Sequence, residues 1–521
     1  MKTFGVKIKH AFFLFATVVV AHAAAPYGAA DRVVSTVAAA PAPEIVRQTL
    51  RRAVAYLRSI ATDGGYVWVY SPDLSRRAGE SITDANHIWF QPPGTPSVGM
   101  AFLRAYRATG EEPFLAAAEA VAGAVRRAQL DSGGWHYSAD MKHPERNRDG
   151  LLDYKGRAAA ERMERDTINP LYTITSVYDD DNTQSVVRFL LACDAVGNDG
   201  GRTPNPEIRA TLLKALDGML WAQYPNGAWP EQYDGRPRDP ALHPIVPARF
   251  PAAARTTWPG EHSYTRYYTL NDNVPRQCIT TLLDAWRQLG DARYLAAARR
   301  GGDFLVLAQL PEPQRGWAQQ YDFQMEPAWA RVFEPPAVST FESGGALQAL
   351  MTLHLETGDP RYLEPIAPAL RWLERSTSGK DEWARLNEFK TNRPIYGDVD
   401  GAIHYDLATV SPKRRTGYGW HGSFHLPEIV AECRELLRIG RDDYRARQAA
   451  KPAVRSDHGA AGRKVNSVIQ ALDADGRWIT DGRFQKNAPL EQVISTKVFI
   501  TNVNVLCDYL ESLKLPAGRT P

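Results

Sequence analysis

Apolar residues recur at helical spacing along most of this chain, and the helical runs come in pairs. Val46, Leu50, Val54 and Leu57 mark a first helix over residues 44–60. Further runs predict helices at 97–108 and 113–129, 183–196 and 206–222, 274–288 and 292–308, and 344–356 and 360–376, with two more at 425–438 and 489–514. Tight turns join the members of a pair, at Thr109-Gly110-Glu111, Leu289-Gly290-Asp291 and Thr357-Gly358-Asp359. Each pair runs into a loop of one type: Gly133-Gly134-Trp135, Asn226-Gly227-Ala228-Trp229, Arg315-Gly316-Trp317 and Asp381-Glu382-Trp383, with Gly64-Gly65-Tyr66 after the first helix. Repeated helical hairpins stack as an open solenoid or close into a ring. Long inserts at 143–165 and 235–260, and aromatic loops gathered at one end, favour the ring. The expected fold is all-α, an α/α toroid built as an incomplete α/α barrel. An open solenoid that binds protein is the competing reading. The segment 445–465 is polar and expected to be loose, and 468–480 to hold a hairpin around Asp473-Ala474-Asp475-Gly476.

The start of the chain breaks the pattern. Lys2, Lys7 and Lys9 precede an apolar run from Ala11 to Ala21, and Ala21-His22-Ala23 offers a cleavage site, which predicts a signal peptide over 1–23 and a secreted or periplasmic protein. A linker is expected over 24–44, the toroid over 45–440, and over 441–521 a C-terminal extension whose last helix packs on the same domain. No later stretch reaches the ~18 apolar residues of a membrane span. Lys and Arg number 62 against 59 acids. Three of the lysines lie in the leader, so the rest of the chain is balanced, and charge supports neither a nucleic-acid nor a membrane role. The cysteines, Cys193, Cys278, Cys433 and Cys507, lack metal-ligand spacing and are expected to be buried, inert thiols. The outer surface carries no oligomer signal, and a monomer is expected.

Candidate chemistry lies in the loops. Trp135, Trp229, Trp317, Tyr66 and Trp89 either stack on a sugar face or plug the ends of the helices, and both readings stand. Asp179-Asp180-Asp181-Asn182 and Asn271-Asp272-Asn273 open two helices. One acid per helix is a cap. Three in a row, with a second Asp-Asn in the next repeat, fit Ca²⁺ or an acid/base pair better. Arg331 and Arg385 stand in Pro- and Trp-bounded loops, as does Arg393, and arginine suits bidentate grip of a carboxylate. Glu334 and Glu388 are possible structural partners.

Together these features point to an acidic polysaccharide, and the motifs resemble the polysaccharide lyase family 10 pectate lyases. The matching segments are Ala222-Gln223-Tyr224-Pro225-Asn226-Gly227 with Trp229-Pro230, Asn271-Asp272-Asn273, Ala318-Gln319-Gln320-Tyr321-Asp322, Pro327-Ala328-Trp329-Ala330-Arg331 with Glu334, and Glu342-Ser343. The longest is Thr391-Asn392-Arg393-Pro394-Ile395-Tyr396-Gly397-Asp398, followed by Asp400-Gly401, Tyr405-Asp406-Leu407, Arg415-Thr416-Gly417-Tyr418 and Trp420. The similarity spans roughly 175–425.

The resemblance implies cleavage of α-1,4-linked polygalacturonate by calcium-assisted anti β-elimination. It implies Arg331 as the base that takes the C5 proton, Arg393 as a binder of the substrate carboxylate, and Asp272 as a Ca²⁺ ligand. Ungapped alignment through Thr183 and Arg188-Phe189-Leu190 puts the family's other aspartate at Asp179. Comparison with Asp272-Asn273 puts it at Asp181, and both are kept. Arg385, Trp329 and Trp229 complete the expected substrate contacts. The stretch Tyr264-Thr265-Arg266-Tyr267-Tyr268 departs from the family pattern and bears on substrate preference. A hydrolase using Asp179 or Asp181 with Asp272 is the second reading, and a non-enzymatic protein-binding repeat the third.

Overall fold

A computed structural model describes residues 40–144, 175–198, 205–253, 255–260, 263–450, 458–485 and 488–514. The expected leader over 1–23, the expected linker of 24–44 up to residue 39, and the expected insert of 143–165 beyond residue 144 lie outside the described residues.

The helical pairs form as their patterns predict. In chain order the helices are α1 (Pro43–Ser59), α2 (Thr95–Thr109), α3 (Glu112–Arg127), α4 (Asn182–Asn198), α5 (Pro206–Ala222), α6 (Val274–Leu289), α7 (Ala292–Ala308), α8 (Thr340–Thr357), α9 (Ile366–Arg375), α10 (Pro412–Gly417), α11 (Leu426–Ile439), α12 (Arg441–Ala450), α13 (His458–Gln470) and α14 (Thr496–Ser512). The turns within pairs work as their residues require. Gly110, Gly290 and Gly358 end α2, α6 and α8 in the left-handed region, at φ of 76°, 73° and 74°, where a side chain is penalised. Asp291 and Asp359 then accept from the backbone N–H of Arg293 and Arg361 to cap the next helical turn.

The protein is an α/α toroid. Helix α2 packs on α4, α4 on α6, α6 on α8 and α8 on α11, forming the inner ring. Helices α3, α5 and α7 return outside their partners, and α9 lies against α8. The last helix, α14, packs on α13, α1 and α2, so the end of the chain lies beside its beginning. A five-stranded antiparallel sheet reinforces this junction, in the order Ile479–Gly482, Glu491–Ser495, Val69–Tyr70, Arg77–Ala78, Ile82–Thr83. One continuous apolar core runs from Val46 to Leu510. The four cysteines are buried and free.

Several local expectations are corrected. Within 445–465 the described residues, 445–450 and 458–465, are helical in α12 and α13, with Tyr444 and Val465 as buried anchors, and 451–457 lie outside the described residues. The helix expected over 489–514 begins at Thr496. Glu491–Ser495 is a strand, recruited by pairing with both Ile479–Gly482 and Val69–Tyr70. The hairpin expected over 468–480 is a tight turn at Asp473–Gly476 after α13, closed by Asp473 accepting from the Asp475 and Arg477 N–H groups. The helix expected over 360–376 splits into a 3₁₀ turn, Pro360–Leu363, and α9.

The Gly-Trp loops close the outer helices. The indole N–H of Trp135 donates to the Val125 carbonyl at 2.8 Å, Trp229 to Met219 at 2.9 Å, Trp317 to Leu305 at 2.8 Å, Trp383 to Leu373 at 2.9 Å, and Trp478 to Val468 at 2.9 Å. Each ring thus caps a carbonyl of the helix before it. A glutamine at the end of the outer helix braces the loop. Gln129, Gln223 and Gln309 each donate through Nε2 to a carbonyl of their own loop and to one of the next outer segment, at Thr211, Ala297 and Pro365.

Candidate active site

After each plug tryptophan the chain makes a short strand that pairs with the segment just before the inner helix of the same repeat. Ser138–Asp140 pairs with His87–Trp89, Gln232–Tyr233 with Ser176–Val177, Gln320–Tyr321 with Tyr268–Thr269, and Leu386–Asn387 with Val338–Ser339. This fixes one register at one face of the ring. The residue two past the tryptophan offers its carbonyl to the inner segment: Tyr137 to Phe90, Glu231 to Tyr178, Gln319 to Leu270 and Arg385 to Thr340. The side chains of those four residues are therefore delivered to equivalent places around the mouth.

The acids enter from the inner segments. Between strand and helix, Asp179–Asp181 and Asn271–Asn273 form matching 3₁₀ turns. Asp180 and Asp181 have φ of 51° and 59°, and Asp272 and Asn273 have 47° and 64°. Asp and Asn are the residues that tolerate this left-handed backbone. The shared geometry makes Asp180 the counterpart of Asp272, and Asp181 the counterpart of Asn273. Oxygens of Asp179, Asp180 and Asp272 all lie within 4.8 Å of one another. Asp181 is not in this group: its carboxylate pairs with Arg188.

Few cations offset the group. Gln91 Nε2 donates to Asp180 at 2.7 Å, and the Tyr137 hydroxyl to Asp179 at 3.1 Å. Asn271 Nδ2 bridges Asp179 and Asp272, at 3.3 and 2.8 Å. Desolvation, then Glu231 and Asp272, pushes the Asp179 carboxyl well above the usual range. Asp180 is exposed at the mouth, yet partial desolvation and the nearby Asp272 and Glu80 raise it to about 6. Asp272 is raised by burial, against the pull of Arg385 and Arg331. Glu231, 5% exposed, is pushed by burial to about 8 although Arg331 opposes the shift. Closely set hard oxygens that repel one another are donors that could hold a divalent cation.

The acid group connects to Arg331. Gln319 Nε2 donates to Asn271 Oδ1 at 2.7 Å and to Glu334 Oε1 at 3.2 Å. Glu334 in turn holds Arg331 through Nε at 2.7 Å and Nη2 at 2.5 Å. The Arg331 side chain is 47% exposed and Nη1 is not committed to this pair. Partial burial lowers its proton affinity, but Glu334 outweighs that and the net shift is upward. Arg385 stacks over Phe341 and Tyr418, at 4.6 and 4.9 Å, and pairs with buried Glu342 at 2.9 Å. Its buried Nε has no hydrogen-bond partner among the described residues. Arg414, unmarked in the sequence, lies 3.3 Å over the Phe333 ring, and Arg331 helps to lower its pKa after burial does. Arg393 is exposed and stacks over Tyr405 at 4.1 Å. Its neighbour Asn392 serves the fold, accepting from the Trp372 indole at 2.8 Å.

The aromatic candidates divide. Trp229 is fully buried as a helix plug, which corrects its expected place in a substrate contact, and Trp135 and Trp317 are the same. Trp329 is 3% exposed and donates to the Arg255 carbonyl at 3.0 Å, so it offers little face for stacking.

Comparison with known proteins adds a family. The pectic acid lyase family model matches residues 155–378 and 375–427. No curated protein matches the chain. Among solved structures, a family 10 polysaccharide lyase from Cellvibrio cellulosa is 21% identical, with a TM-score of 0.44 over 66% of this chain and 98% of that one. A mutant of that lyase in complex with trigalacturonic acid gives 20% identity and a TM-score of 0.42, over 65% and 98%. Cellobiose 2-epimerase from Bacillus thermoamylovorans gives 12% and 0.42, over 90% and 98%.

Proposed function

The chain belongs to the pectic acid lyase family and is a polysaccharide lyase, and from that premise we propose that it cleaves α-1,4-linked polygalacturonate by calcium-assisted anti β-elimination outside the cytoplasm. The observation that carries this reading is the acid group Asp179, Asp180 and Asp272 linked through Asn271, Gln319 and Glu334 to a half-exposed arginine. Elimination needs a base at C5, a positive field at the C6 carboxylate and departure of the C4 oxygen. Asp179, Asp180 and Asp272 would hold Ca²⁺. Bound there, the ion would neutralise the C6 carboxylate and lower the proton affinity of the adjacent guanidinium.

Arg331 is the proposed base. Its pairing with Glu334 holds the proton on, so alkaline pH is required before its neutral form is populated. The pair also fixes the guanidinium by two bonds, which aims the uncommitted Nη1 edge. Arg385 is the better placed of the two remaining arginines to grip a carboxylate beside the acid group, because Asp272 and Glu334 both feel its charge. Arg393 would serve at the rim. A signal peptide over 1–23 would carry the enzyme to its polymer.

The test is an ultraviolet assay for the conjugated double bond of the 4,5-unsaturated product. Polygalacturonate at alkaline pH should give a rise that needs Ca²⁺ and stops on chelation. Arg331→Ala should lose about a hundredfold or more in kcat, the usual range for a general base. Saturated products, or a rise that survives both chelation and Arg331→Ala, would overturn the mechanism.

A further inference from the structure

The acid group opens on a second space. Asp180 also lines a cavity of about 570 Å³, within the ~300–1,000 Å³ of small-molecule sites. Its other walls come from outside the span matched by the family model: Trp68, Gly79 and Glu80 near the start of the described chain, Gln91 before α2, and Arg483 near its end. We propose that this cavity is an added uronate subsite, with the sugar face on Trp68 and the sugar carboxylate on Arg483. The proposal deepens the lyase reading and rests on it.

Three observations carry it. The first is register. Thr496, at the start of α14, donates to the Trp68 carbonyl at 3.0 Å, as Phe90, Tyr178, Leu270 and Thr340 donate to Tyr137, Glu231, Gln319 and Arg385. Trp68 thus holds the position that brings a side chain to the mouth in the other repeats, and it lies two past Tyr66, as those residues lie two past a tryptophan. Unlike the plug tryptophans, Trp68 is partly exposed. An indole face beside polar groups is sugar-binding hardware.

The second is rigidity. The Trp68 indole donates to the Gln91 carbonyl at 2.9 Å and meets Trp89 edge-on at 6.1 Å. Trp89 donates to Gln91 Oε1 at 2.6 Å, and Gln91 donates to Asp180 at 2.7 Å. Gly79 closes this wall, since a Cβ there would lie 2.0 Å from the Trp89 ring. The subsite and the acid group are therefore parts of one hydrogen-bonded chain.

The third is charge. Phe484 packs with Ala78 and Val493, which pins the Arg483 loop against the strand that leads to Glu80. Arg483 also donates through Nη1 to the Ala488 carbonyl. Arg483 supplies a cation for a carboxylate, and exposed Glu80 supplies an acceptor for hydroxyl groups. Glu80 repels a carboxylate on its own side, which sets the direction of the sugar.

The experiment compares kcat/KM on long oligogalacturonates with kcat/KM on the shortest oligomer cleaved. In Arg483→Ala the long-to-short ratio should fall about three- to tenfold, the worth of one exposed charge-assisted contact. Arg483→Lys should recover part of it, and Trp68→Ala should lower it as well. Arg483 is exposed, so its variants report binding even if Trp68→Ala fails to fold. An active wild type whose ratio is unchanged in the Arg483→Ala variant overturns the subsite alone. A wild type inactive on polygalacturonate overturns the proposed function and the subsite with it.

Discussion

Asp180 and Asp272 share a left-handed backbone, φ of 51° and 47°, and hold the same place in matching turns, with their carboxylates in one group. The residues that follow them, Asp181 and Asn273, keep the left-handed backbone at 59° and 64°, so it is the place of each residue in its turn that separates their roles. Asp181, one place further on, pairs with Arg188. Asp180→Asn should therefore weaken Ca²⁺ binding by about tenfold or more, because ligand charge sets calcium affinity. Asp181→Asn should leave that affinity nearly unchanged, and calorimetric titration with Ca²⁺ compares the two. Equal losses would overturn the assignment of Asp180. Sequence comparison pairs Asp181-Asn182 with Asp272-Asn273 because the residue types agree. The fold pairs Asp180-Asp181 instead, because register is set by the strands at Ser176–Val177 and Tyr268–Thr269. Asp179, Asp272, Arg331 and Arg385 are legible as single residues, since an acid or arginine in a turn stands out. Glu231 and Gln319 are not, because their meaning lies in a position two past a tryptophan.

At the scale of elements, the Gly-Trp loop is a joint. Gly227 has φ of 94°, and a Cβ there would stand 1.9 Å from the Arg300 carbonyl oxygen on α7. The close approach lets Gln223 reach Ala297, tying α5 to α7. Trp229 fills the space beneath. Trp229→Ala should cost about 3–5 kcal/mol, as truncation of a buried aromatic does, and lower the melting temperature clearly. Trp221→Ala removes a tryptophan from the same helix end, but one that is 53% exposed. It should stay within about 0.5 kcal/mol of wild type. Thermal denaturation of both variants tests whether the repeat tryptophan belongs to the fold. The repeats are legible in sequence because Gly and Asp at turns have conformational reasons to be there. The face shown by each tryptophan is not legible, since plugging and stacking call for the same residue.

For the whole molecule, the ring gathers inner-helix starts and strand ends from separate repeats, and so concentrates carboxylates at a partly desolvated mouth. That arrangement has a sign in pH. Asp180 rises from 3.8 to about 6 and Glu231 from 4.5 to about 8 on folding. A carboxyl with a raised folded pKa binds its proton more tightly in the native state than in the unfolded chain. Its favourable share of stability is full below the unfolded value and is lost as pH rises through the folded one. The metal-free protein should thus lose melting temperature as pH rises from about 4 to about 8, through these two groups. Ca²⁺ held at the proposed site would bind the deprotonated acids and add stability by mass action. The Ca²⁺-induced increase in melting temperature should therefore be larger at pH 8 than at pH 5. Scans with chelator and with saturating Ca²⁺ at both values measure the difference of differences. Asp180→Asn removes one of the carboxylates and should shrink it. An increase that is the same at both pH values, or one that survives Asp180→Asn intact, would place the calcium-linked charge elsewhere on the ring.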